Sequence, residues 1–121
     1  MLMPFFGLSL LEDDGRLGVI DFDDCGFSWF VYDFAAAVSF LETEPYLPAL
    51  QEAWVRGYRS VAPLGDDHVA MIPTFVMVRR LLLTAWIASH AETETAALAG
   101  HGTYTQGTVA LARAYMAEHG A

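Results

Sequence analysis

Leu17-Gly18-Val19-Ile20-Asp21-Phe22-Asp23-Asp24-Cys25-Gly26, followed by Tyr32-Asp33-Phe34-Ala35, is the stretch on which the fold turns. An apolar run ends in three carboxylates within four residues, and a fourth stands where a helix opens soon afterwards. Carboxylates at the end of a buried strand need water or a cation to offset their desolvation. Hard divalent cations such as Mg²⁺ take such oxygen ligands, commonly one or two carboxylates together with substrate phosphates. A solvated acidic turn between strand and helix satisfies the same pattern, because Asp is a frequent turn and N-cap residue.

Outward from this stretch, residues 5–11 and 17–22 form two apolar runs separated by Glu12-Asp13-Asp14-Gly15-Arg16. Asp-Gly between such runs predicts a β-hairpin. Asp33 then stands ready to cap a helix over 34–41. Leu50, Trp54 and Tyr58 share one stripe of a helix over 48–61. Asp66 and Asp67 open a helical segment reaching to residue 90, with Pro73 forcing a kink or a later start. Its apolar residues Val69, Ile72, Phe75, Val76, Leu82, Leu83 and Trp86 cover most of the circumference, the pattern of a helix surrounded by neighbours. A loop at 100–102 precedes a last amphipathic helix ending near residue 118. The expected class is α+β, mostly α: an N-terminal hairpin followed by a helical bundle.

The chain has 121 residues, enough for one domain at most. Its apolar fraction of 55% exceeds the ordinary range, which suggests apolar surface meant for further partner structure. Net charge is −9, and all six cations are Arg. No basic face exists to neutralise nucleic-acid phosphates, so nucleic acid is not an expected partner. A single Cys rules out an internal disulfide framework and fits a reducing compartment. Residues 1–6 lack the basic flank of a signal peptide. Arg79 and Arg80 interrupt the longest apolar stretch, which argues against a membrane span. A cytoplasmic chain is expected.

The two-part motif, Ile20-Asp21-Phe22-Asp23 with Tyr32-Asp33-Phe34-Ala35, resembles the aminoglycoside phosphotransferase and choline kinase-like family, more closely its homoserine-kinase-type branch. Phe34 stands where relatives carry Leu. The resemblance implies the C-terminal lobe of a protein-kinase-like fold and an ATP-dependent small-molecule phosphotransferase. Asp21 matches the family's metal-binding Asp and, with Asp23 beside it, would hold Mg²⁺ against ATP phosphates. Asp33 matches an Asp that accepts hydrogen bonds from the catalytic-loop backbone and so supports that loop; an N-cap role is compatible with this. The implied phosphoryl acceptor is a hydroxyl- or amine-bearing small molecule.

The family's catalytic loop, His-x-Asp-x-x-x-x-Asn, should precede the hairpin, yet the chain contains no Asn and no Lys. Residues 1–121 are accordingly expected to form a single partial domain, without nucleotide-binding lobe or catalytic loop, and inactive alone. Two rivals stand beside this reading. One is a haloacid-dehalogenase-type phosphatase with Asp21 as nucleophile and Asp23 as acid/base. The other is a non-catalytic remnant that homodimerises through its apolar hairpin and helix faces. Four scattered His lack metal-site spacing, and the expected fate of Glu42, Glu44, Asp66 and Asp67 is a solvated helix end or an acidic cleft wall.

Overall fold

The computed structural model describes residues 9–11, 14–19 and 28–120. Two short extended segments come first, β1 (Ser9–Leu11) and β2 (Leu17–Val19). They run antiparallel with Ser9 opposite Val19 and Leu11 opposite Leu17. Six helices follow: α1 (Tyr32–Ala37), α2 (Leu47–Arg59), α3 (Asp66–Ala70), α4 (Ile72–Ser89), α5 (Glu94–Leu98) and α6 (His101–His119).

This corrects the expected α+β class. The described chain is mostly helical, and an N-terminal β-hairpin is not supported as a layer of the fold. Three paired residues on each side fall below what an isolated two-stranded ribbon needs for stability, and no helix packs extensively against either segment. Among the described residues, the apolar pattern that predicted strands over 5–11 and 17–22 yields this short pairing and no larger sheet.

Helix α4 is the axis of the molecule, with α1 on one side and α6 on another. Its start follows from Pro73, which occupies the first turn, where its missing N–H forfeits no helical bond. The long segment expected over 66–90 is thus broken at Met71 into α3 and α4. Around one end of α4 gather Val31, Phe34, Val38, Leu64 and Ile72, with Trp54 and Tyr58 of α2 packed against them. Around the other end gather Leu83, Ile87, Ala96 and Tyr104. Each fully buried side chain such as Phe34 or Ile87 contributes roughly 1.5–3 kcal/mol of transfer free energy.

Helix α1 is shorter than the expected 34–41 and begins earlier. It stops at Ala37 because the chain turns there, with Phe40 at φ 71°. A non-glycine residue in the left-handed region costs about 1–2 kcal/mol. The Phe40 ring, 5.5 Å from that of Tyr104, offsets part of this.

Candidate functional site

Of the three carboxylates singled out in the sequence, Asp21 and Asp23 lie outside the described residues, and Asp33 lies within them. Asp33 is the second residue of α1, and its backbone N–H donates to the Phe30 carbonyl at 3.2 Å. Val31, not Asp33, occupies the N-cap position, and no side chain caps the helix. The N-cap reading of Asp33 is therefore corrected.

Instead, its Oδ1 is buried without a hydrogen-bond partner among the described residues. Burial pushes the carboxyl from its ordinary 3.8 up to about 7. A place in the first turn of a helix favours a negative charge by only about 0.3–1 kcal/mol. An unsatisfied buried acceptor costs about 1–3 kcal/mol. The second effect wins, so the described residues leave this oxygen in want of a donor.

The second polar centre is one that the sequence reading did not assemble. Arg80 in α4 is 5% exposed and donates from Nη1 to Glu42 Oε2 at 2.8 Å. Its Nε donates to Thr108 Oγ1 at 2.8 Å and its Nη2 to the Tyr104 carbonyl at 2.9 Å. The guanidinium carbon lies 3.4 Å from the centre of the Tyr104 ring. Burial, with Glu42 next in weight, pushes the Tyr104 phenol up to about 12. Glu42 is thus neither a solvated helix end nor an open cleft wall: its side chain is fully buried against Arg80.

Gly107 makes room for this arrangement, since a Cβ there would stand 3.0 Å from Arg80 Nη2. An Arg in the middle of an apolar helix was the available signal, because a buried guanidinium requires a buried acceptor. Nothing in the spacing pointed to Glu42 as that acceptor. A cleft of about 560 Å³ opens beside Phe40, Arg80, Leu98, Tyr104 and Gly107, but every Arg80 nitrogen is already engaged within the protein. Among the described residues, no three His, Cys, Asp or Glu side chains cluster in a way that could hold a metal.

Residues 8–66 match the model of the phosphotransferase enzyme family, a span that contains Asp21, Asp23, Asp33 and Glu42. The fold is similar to that of a solved microcompartment-associated aminopropanol kinase, with a TM-score of 0.79 and 47% identity over 90% of this chain. Residues 8–66 thus resemble the phosphotransferase enzyme family. This chain spans 33% of the length of that aminopropanol kinase. No curated protein matches its sequence.

Proposed function

We propose that this chain is the C-terminal portion of an ATP-dependent small-molecule kinase and that it supplies the metal-binding edge of the active site. The observation that carries this reading is the 47% identity to an aminopropanol kinase over 90% of the chain. The chemistry of the donor set agrees: Asp21 and Asp23 offer the hard oxygen ligands that Mg²⁺ prefers. Bound Mg²⁺ would neutralise charge on the ATP phosphates during transfer.

Asp33 supports the reading from the fold. A buried carboxyl oxygen without a donor among the described residues is what a loop-supporting residue presents when the backbone N–H groups it serves belong to another segment. In the proposed reaction the bond between the γ-phosphorus and its bridging oxygen breaks, ADP leaves, and the phosphorus bonds to an acceptor hydroxyl whose proton passes to a base. That base, a phosphate-contacting Lys and a ligand Asn have no counterpart among these 121 residues, which contain neither Lys nor Asn. The chain alone is therefore inactive in this reading, because positioning and electrostatics supply nearly all the rate. The acceptor is a small hydroxyl- or amine-bearing molecule, and the single Cys fits a cytoplasmic setting.

Titrating Mg²⁺-ATP calorimetrically into the wild-type chain and Asp21→Ala tests the metal assignment. Heat of binding in the wild type that disappears in the variant is expected. Identical traces would refute retained nucleotide binding.

A further inference from the structure

Phe40 is held where a bulky side chain is least at ease. Its φ of 71° lies in the left-handed region, which such a residue keeps only where the surrounding structure imposes it. The ring gains no full burial in return, since Phe40 stays 45% exposed. Instead it stands 5.5 Å from the Tyr104 ring and forms one wall of the cleft of about 560 Å³ between the turn after α1 and helices α5 and α6. Across the cleft is Leu98, the last residue of α5, at 82% exposure. Gly107 leaves the floor hollow, because a Cβ there would stand 3.0 Å from Arg80 Nη2. A strained backbone that sets an apolar ring at the mouth of a cavity, over a floor cleared of a side chain, describes a cleft shaped to receive a ligand.

Charge on the lining narrows the class of that ligand. The Arg80 guanidinium already lies 3.4 Å from the centre of the Tyr104 ring, so a second cation at this ring would meet like charge across it. Arg80 is in turn paired with Glu42 at 2.8 Å, and both side chains are buried, which leaves no net positive charge for an anion. Even the Tyr104 hydroxyl is directed at Glu42. An ion of either sign would give up water on entering and find no counter-charge. The lining keeps two aromatic rings, Leu98 and Ala99 for an apolar body. Thr43 and Thr103, both exposed, add hydroxyls for a polar end. The volume lies within the roughly 300–1,000 Å³ of small-molecule sites.

We propose that this cleft binds a small uncharged molecule with an apolar body and a hydroxyl end, held between Phe40 and Leu98. The assignment concerns binding alone and does not rest on the function proposed above.

The test titrates the 121-residue chain at neutral pH with 2-phenylethanol, following backbone amide shifts by NMR. Phenylethylammonium and phenylacetate serve as cationic and anionic probes with the same apolar body. Saturable shifts at Phe40, Thr43, Leu98 and Tyr104 are expected with the alcohol, and binding about tenfold weaker with either ion. Phe40→Gly, which suits the left-handed backbone and removes the wall, should weaken the alcohol about tenfold while the circular dichroism stays that of the wild type. Leu98→Asp, at a position too exposed to matter for folding, should do the same. Val61→Asp, 85% exposed and outside the cleft, should bind as the wild type does.

Four results would overturn the proposal. They are an ion bound as tightly as the alcohol, no saturable shift at the cleft, a folded Leu98→Asp that binds unchanged, or a dimer in sedimentation that Leu98→Asp dissolves. The last would make the occupant a second copy of the chain.

Discussion

Replacing Asp33 by Asn keeps the shape of the side chain and removes its charge, so it isolates the effect of burying an unpartnered carboxylate. In the folded chain the carboxyl titrates near 7 against an ordinary 3.8. Below the lower value both states are protonated and the substitution should change little. Between the two values the unfolded chain releases its proton while the folded chain holds it, so wild-type stability falls as pH rises. Above about 7 the penalty is complete. A shift of roughly three units has a ceiling of ~4 kcal/mol. The residue is only half-buried, and solvent screening reduces this to about 1–2 kcal/mol.

Asp33→Asn should therefore stabilise the chain by about 1–2 kcal/mol at pH 8, or roughly 4–8 °C in Tm, and by almost nothing at pH 3.5. Urea unfolding at both pH values measures the difference directly. A difference independent of pH, or a loss of stability at pH 8, would show that the carboxylate has a partner and that the argument from its orphaned oxygen is wrong.

Arg80→Met should cost about 3–5 kcal/mol by leaving Glu42 buried without its cation, while Arg80→Met with Glu42→Met together should cost much less than the sum of the singles; a urea double-mutant cycle reads the coupling. Gly57→Ala, where a Cβ meets open space in the last turn of α2, should gain about 0.5–1 kcal/mol from helix propensity. Gly107→Ala should lose that gain and become destabilising, because its Cβ would crowd an Arg80 Nη2 held in place by the guanidinium's hydrogen bonds; thermal melts of the two variants side by side decide this.

The helices were legible where periodicity was strong and a breaker was nearby. Leu50, Trp54 and Tyr58 marked α2, and Pro73 marked the point where α4 had to begin. Helix α5 escaped notice, since five residues are too few to display a period. The strand expectation failed because an apolar run with Asp-Gly beside it signals pairing without fixing how far the pairing extends. The all-round apolar pattern of α4 was read as a sign of neighbours on every side. The described neighbours occupy only part of its circumference, and hydrophobicity alone cannot say whether a face is covered by the same polypeptide. At the site, Asp33 was identified but its capping role was not realised. The Arg80–Glu42 pair joins residues 38 apart in sequence, a separation that no local pattern encodes.

The imino ring at position 73 has a consequence for how disorder would spread. Melting of a helix normally travels residue by residue along a continuous ladder of amide bonds, and at this corner the ladder is interrupted. The Met71 amide closes back onto His68, and the next spoke, from the Phe75 amide, reaches only to Met71. Residues 66–70 can open and close like a hinged flap while the long central rod stays wound, so heat or denaturant entering at the acidic tip meets a firebreak before it reaches the core.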